Sequence, residues 1–460
     1  MDKAKLSGLL ILPALLAAPA AAQEFSFDGM PSVKEIVAQA KAGDAAVAPS
    51  AMKTNKAPVK EWTIMVFMNG KNNLSEYVHS DMNEMETVGS TDKINVVTQS
   101  ARSYQAPASN PGYPGGWNDW DNGPVVPHPG WPNPYWNDMP PMMGRGAATR
   151  GVEDWTGVRR YYVTKDTDTA VTGSMMLQDM GKVDMGDWNQ LVEFGRWAKA
   201  NYPARHYMLI VWNHGDGWKT KSPRSALTRG ISYDDETGNG ITTVQLGQAL
   251  AGMGGVDIYA SDACLMQMAE VIYELKNSAQ VMVGSEETEP GAGWDYGAFL
   301  SRIKSFGIEN VAKAAVEGYT ASYAAKGTGV TMAAARSNKA EQLRQLTDQW
   351  ADLAMKQDKA KLLEALREAK SFGGADSRDL LHFLSVAGTK IPALQAKGAE
   401  ITAFFNGSML VKNATNGDAY KNATGIAMYL PSYSFDENYS KLALSKAGKW
   451  DEFTKWLLEK

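Results

Sequence analysis

The chain has 460 residues and one cysteine, Cys264. A single thiol excludes an internal disulfide, and in an exported protein such a leftover thiol is either intermolecular or reactive. Histidine is scarce too, with five in the whole chain. Past the first 22 residues no stretch reaches about 18 consecutive apolar residues, the length that spans a bilayer. An excess of positive charge is also missing. Lys and Arg number 46 against 51 Asp and Glu, a net charge of −5, which argues against nucleic acid as a partner. What is present is 44% hydrophobic and 21% charged residues at a mean hydropathy of −0.33, enough for a substantial core in one large domain or two.

The N-terminus stands apart. Lys3 and Lys5 precede an apolar run from Leu6 to Ala18, and Ala20-Ala21-Ala22 supplies a small-residue cleavage pattern before Gln23. We read residues 1–22 as a secretory signal peptide, because the run is too short for a membrane anchor. The mature protein is thus expected to be secreted or periplasmic, with no membrane span. Residues 23–58, rich in Ala, Lys and Ser, read as a leader or pro-segment with a short helix around Val33 to Ala40.

From Trp62 the pattern changes. TIMVFMNG is a buried strand closed by Asn-Gly, Leu74 to Val88 has helical character, and INVVTQS is a second strand, an order that predicts a parallel sheet. Residues 103–150 then concentrate Pro, Gly, Trp and Tyr, which central strands and helix interiors do not tolerate. This insertion reads as a surface excursion, with an aromatic flap for peptide or glycan as its functional alternative. VRRYYVTKD follows as a strand. Gly186-Asp187 caps a helix with Leu191, Phe194 and Ala198 at helical spacing, Pro203 ends it, and Tyr207 to Trp212 is the most apolar strand of the chain.

His214 lies two residues beyond that strand. Next come the basic segment KTKSPRSALTRG, the stretch ISYDDETGNGIT and a helix around Val244 to Met253. Asp235-x-Thr237-x-Asn239-Gly240 has the opening of a calcium loop, but Leu246 occupies the position that needs a bidentate carboxylate, so a plain turn is expected. Val256 to Ala260 is the next strand, and Leu265, Met268, Ile272 and Leu275 mark a helix after it, which puts Cys264 at a strand-to-helix junction. Val281 to Val283 begins another strand, followed by the acidic loop Ser285 to Pro290. Beyond residue 300 the chain reads as mainly helical, with strands at Gly329 to Ala333 and Thr424 to Leu430 and a closing helix from Trp450 to Leu458.

In open parallel α/β sheets, sites form beyond the carboxyl ends of strands. His214 and Cys264 each follow such an end, on consecutive long strands, and a parallel arrangement brings them to one sheet edge. A helix N-terminus and a nearby imidazole would both favour the thiolate, and His214 would then protonate the leaving amine. The N–H groups of Gly215 and Cys264 are the candidates for holding the oxyanion. Without the histidine, a buried structural cysteine is the commoner reading of one thiol.

WNHGDGW around His214, SDACLMQMAEV around Cys264 and VGSEETEPGAGW after it resemble the clostripain family of cysteine peptidases, in the caspase-like clan. WTIMVFMNGKNNL, MGDWNQLVEFGRWAKANYPA and GIAMYLPSYS extend the resemblance over residues 61–460 apart from the insertion. The resemblance implies a caspase-like α/β/α sandwich with a mostly parallel central sheet and a mainly helical C-terminal part. The catalytic core would occupy residues 59–300, and 301–460 would complete the peptidase unit. It implies Cys264 as nucleophile and His214 as partner, with no third member required. Asp262 matches the family's acid for Arg or Lys before the scissile bond; the plain alternative is a helix cap. Glu286, Glu287 and Thr288 would border the same pocket. Self-cleavage between histidine and cysteine is implied as well, with Lys219, Lys221, Arg224 and Arg229 as candidate positions. No cofactor is expected, although some relatives need calcium. The Gln-Ala-Cys of caspases is replaced by Asp-Ala-Cys, so cleavage after aspartate is not expected. Two other readings share the fold: a non-catalytic peptide- or glycan-binding protein, against which intact His214, Cys264 and Asp262 argue, and a transpeptidase using the same acyl-enzyme.

Overall fold

A computed structural model describes residues 59–103, 155–219, 230–373 and 376–459. The signal peptide, the pro-segment, nearly all of the Pro/Trp insertion and the linker positions Lys221, Arg224 and Arg229 lie outside the described residues.

Strand β1 (Lys60–Gly70) shows how the core is organised. Successive side chains of a strand point to opposite faces, so a strand covered on both sides reads as one continuous apolar run. Ile64, Val66 and Met68 enter one core, shared with the helices Tyr77–Glu86, Tyr296–Ser301 and Ile308–Ala325. Met65 and Phe67 enter the other, shared with the helices Trp188–Asn201, Thr243–Gly252 and Ala269–Leu275. The result is helices on both faces of a central sheet.

That sheet has nine strands in the order β13-β10-β9-β8-β5-β1-β2-β3-β4. β2 (Ile94–Arg102), β5 (Ala204–Trp212), β8 (Val256–Asp262) and β9 (Ala279–Gly284) run parallel in one block with β1. β3 (Gly157–Tyr162) and β4 (Met175–Gly181) extend it antiparallel on one side; on the other, β10 (Val330–Arg336) is antiparallel to β9 and β13 (Leu410–Asn416) to β10. The helical C-terminal part therefore completes the same sheet. A hairpin, β6 (Ile231–Asp234) with β7 (Asn239–Ile241), and a small sheet of β11 (Ser371–Phe372), β12 (Ser377–Asp379) and β14 (Ala427–Tyr429) stand apart from it. Among the described residues no helix is long and apolar enough to cross a membrane.

Several local expectations change. The strand expected at Thr424 to Leu430 belongs to the small sheet, and β4 and β13 carry no apolar alternation that would announce them. The helix expected from Leu265 starts only at Ala269, because Leu265 adopts a left-handed φ of 63° and the chain stays extended through Met268. The calcium-like stretch is the turn of the β6–β7 hairpin, where Asp234 Oδ1 accepts the N–H groups of Glu236 and Thr237.

The block also has a switch point. The helix after β1 lies in one core, whereas the helices that flank β5 lie in the other, so the chain leaves neighbouring strands toward opposite faces. The carboxyl ends of β1 and β5, on either side of such a switch point, are where α/β folds bind ligands.

Candidate active site

Trp212 of β5 is paired with Asp262 of β8, and each is the last residue of its strand. His214 and Cys264 both lie two residues further on and emerge together above this row. Asn213 N–H reaches back to Asp262 O at 3.2 Å, keeping the two exits in step. Gly215 permits the close approach: a Cβ there would stand 2.5 Å from the Cys264 carbonyl oxygen. The two candidate oxyanion donors are thus on adjacent backbone. The chain beyond Gly215 is tied by Asp216 N–H to Gly230 O at 3.0 Å, beside the bridge between Gly215 and Ile231.

The cysteine does not sit at a helix N-terminus, in contrast to the sequence expectation, since the helix begins five residues later at Ala269. Its turn is clamped between two segments. Leu265 and Gln267 donate their N–H groups to Glu287 O and Ser285 O, and Ala427 donates to Gln267 O. The half-buried thiol accepts the Glu289 N–H at 3.2 Å. Burial, then the charges of Glu289, Glu287 and Asp216, push the Cys264 thiol up to about 12. The thiol is protonated at neutral pH, and a base is needed to ionise it.

That base is oriented from β1. His214 Nε2 is 2.6 Å from Asn73 Oδ1. The loop carrying Asn73 is held at several points. Asn72 Nδ2 donates to Tyr233 O at 2.8 Å while its Oδ1 accepts Leu74 N–H at 2.9 Å, and Asn213 Nδ2 donates to Asn69 O. Buried Lys71 pairs with Asp234 at 3.5 Å and Glu236 at 3.0 Å.

Asp262 is buried at the foot of the site. Its carboxyl accepts Trp294 N–H at 3.2 and 3.3 Å and the Tyr296 hydroxyl at 2.8 Å. It caps no helix. The loop closes over it through Gly293, whose φ is +58° and whose Cβ, if present, would meet Asp262 Oδ1 at 2.8 Å. The Glu289 carboxyl lies against Asp262 with both oxygens buried, and the Ala263 backbone also acts on it. Burial raises both groups, and Asp262 raises Glu289 further. Two further carboxyls lie behind. Asp81, bonded to Trp212 Nε1 at 2.6 Å, is held well above the usual range by burial and by Asp262, and Glu84 is raised to about 7, chiefly by burial. Several carboxyls are thus buried together here, and burial raises each of them.

The other border residues separate. Glu287 stays beside the thiol, its carboxylate accepting the N–H groups of Thr288 and Gly373 at 2.9 and 3.0 Å. Glu286 is fully buried and turned to the C-terminal part, where it accepts Gly425 N–H at 2.9 Å and faces Asp379. It holds that segment against the sheet and does not line the pocket. Lys219 pairs with Asp376 at 3.0 Å. Sequence reasoning missed Glu289, two residues beyond Glu287 in the acidic loop, and Asn73, which lies in the NNL of WTIMVFMNGKNNL. An amide 141 positions from the histidine gives no spacing signal.

Comparison with known proteins agrees with this geometry. The model of the clostripain family matches residues 66–456. Clostripain of Hathewaya histolytica is 27% identical over 276 residues; the match covers 56% of this chain and 45% of that protein, so the chain spans under half the length of the curated relative. The fold is similar to that of a secreted C11 cysteine protease from Bacteroides thetaiotaomicron, solved with an irreversible peptide inhibitor. The TM-score is 0.56 at 19% identity, over 86% of this chain and 98% of the other. It is similar also to an inactive zymogen C11 protease from Parabacteroides distasonis, with a TM-score of 0.55 at 16% identity over 87% and 99% of the two chains. With a family model spanning nearly all of the described chain and a caspase-like sandwich beneath the cysteine and histidine, the protein belongs to the clostripain family of cysteine peptidases.

Proposed function

We propose that this protein is a secreted endopeptidase that hydrolyses peptide bonds after Arg or Lys. The observation that carries the reading is the row Trp212–Asp262, from which His214 and Cys264 each follow two residues on, with Asp262 and Glu289 buried against each other below. His214 takes the Cys264 proton as sulfur attacks the scissile carbonyl, and the N–H groups of Gly215 and Cys264 hold the oxyanion. The imidazolium then protonates the leaving amine, and water hydrolyses the thioester. A guanidinium or ammonium entering beside Asp262 and Glu289 forms charge-assisted hydrogen bonds. Glu287 and Thr288 border the entrance. The linker from Lys219 to Arg229 carries four basic residues that such an enzyme cleaves in itself.

The test is turnover of fluorogenic peptides with Arg, Lys or a neutral residue before the reporter, by wild type and by Cys264→Ala. Rapid cleavage of the basic peptides by wild type alone is expected. Equal rates in both proteins, or no cleavage by wild type even after activation, refute the reading.

A further inference from the structure

We propose that Asn73 is a positioning residue that fixes the tautomer of His214, holding Nε2–H so that Nδ1 is the nitrogen that exchanges the proton with Cys264. The rate predictions rest on the cysteine-peptidase reading; the tautomer assignment does not.

An amide oxygen only accepts, so at 2.6 Å from Asn73 Oδ1 the Nε2 atom carries the hydrogen. A neutral imidazole has one N–H, and the lone pair is therefore on Nδ1. Thiol ionisation puts a second proton on the ring at Nδ1 while the Nε2–H bond persists. Protonation of the leaving amine returns the same tautomer, with no ring flip between the two steps. The bond depends on where Asn73 stands, and its neighbours secure that. The Asn72 side chain bonds both to Tyr233 O and to Leu74 N–H, so the backbone on either side of Asn73 is restrained. β1 and β5 diverge at the switch point, so a residue just past β1 is the one able to reach the back of the ring.

The choice of an amide has an electrostatic reason. The groups around the dyad are already acidic: Asp216 on the histidine loop, and Glu287 and Glu289 on the loop after β9, all raise the thiol. A carboxylate at position 73 would orient the ring equally well but would add another negative charge to a site that must form a thiolate. An amide oxygen orients without net charge.

The experiment combines kinetics with ¹⁵N NMR of the imidazole, the latter in the Cys264→Ala background with His214→Ala to assign the resonance. N73A should lower kcat about 10- to 100-fold with KM nearly unchanged, as expected for a misaligned base. N73D should recover most of kcat and move the acidic limb of the kcat profile up by roughly one pH unit, because a nearby carboxylate favours the imidazolium and the base must be neutral to act. The Cys264→Ala protein should show the Nε2–H tautomer, and adding N73A should mix the tautomers. An Nδ1–H tautomer in that background overturns the proposal even if no peptidase activity is found. Wild-type kcat in N73A, or equal losses in N73A and N73D with an unmoved limb, overturns it as well.

Discussion

The buried carboxyls Asp262 and Glu289 yield a prediction that separates charge from shape. On the proposed Arg/Lys specificity, an incoming guanidinium sits against Asp262 and Glu289, whose carboxyls burial raises. In Asp262→Asn the Tyr296 hydroxyl and Trp294 N–H still have an amide oxygen to bond. Glu289, relieved of its charged neighbour, ionises more readily and offsets part of the loss. We expect this variant to lose about tenfold in kcat/KM for an arginine substrate, near 1.4 kcal/mol. In the double variant Asp262→Asn/Glu289→Gln no carboxylate faces the guanidinium. Leaving a buried charge without its partner costs about 3–5 kcal/mol, so kcat/KM should fall roughly 10²- to 10⁴-fold. Matched peptides with arginine or its neutral isostere citrulline, assayed at pH 7.5 or so, isolate the charge effect: wild type should prefer arginine strongly, and the double variant should treat both alike. An undiminished arginine preference in the double variant would refute the two-carboxylate account. So would a single Asp262→Asn variant as damaged as the double, since Glu289 would then contribute nothing.

Other outcomes follow from the same contacts. Buried Glu270 accepts Tyr429 N–H and the Tyr439 hydroxyl on one oxygen, and burial raises it from 4.5 to about 7. Because the folded state binds the proton more tightly, this group's contribution to stability is complete below about 4.5 and is lost as pH rises through about 7. Glu270→Gln, a mimic of the protonated form, should match the wild-type Tm at pH 4 to 5 and exceed it at pH 8, as read by circular dichroism; a lower Tm at pH 8 would contradict this. Gly215→Ala places a methyl on the Cys264 carbonyl and should abolish most turnover, whereas alanine at position 252, on the far helix with its nearest neighbour at 3.2 Å, should not; equal activity of both variants counts against the close approach. Freshly expressed wild type should convert to two chains with new ends between 219 and 230, and Cys264→Ala should remain one chain. Mass spectrometry reads this directly, and an active protein that stays intact would end the self-processing account.

Much of the fold could be read from apolar runs and their breaks. β1, β5 and β9 are buried on both faces over most of their length and read as apolar runs closed by a turn, whereas β2 and β8 also bury polar residues such as Thr98, Gln99 and Ser261. β4 shows no such trace because its face is exposed: Met175 and Met176 stand 57% and 51% open to solvent, so no alternation is imposed on it. The register that brings Cys264 to His214 was legible because parallel pairing makes equal offsets beyond two strand ends coincide. The start of the following helix was not. Leu265, Met268, Ile272 and Leu275 have helical spacing, yet Leu265 and Met268 are buried by an extended turn packed on the C-terminal part, and apolar spacing records burial without recording backbone direction.

That misread turn changes the chemistry. A helix N-terminus at Cys264 would stabilise a resting thiolate with its partial positive charge. The actual turn sets the sulfur on a single N–H, from Glu289, amid carboxylates that oppose ionisation. Ionisation must then wait for a base on the correct ring nitrogen and for a cation that cancels part of the acidic field. The first requirement explains why β1 carries a rigid amide-bearing loop up to the histidine. On the proposed specificity, the second gives a reason for the residue whose N–H touches the sulfur to place its carboxyl against Asp262. If Glu289 meets the substrate cation as proposed, it couples recognition to reactivity, and a neutral residue before the scissile bond should lower kcat as well as raise KM; an effect confined to KM would mean that the site only binds.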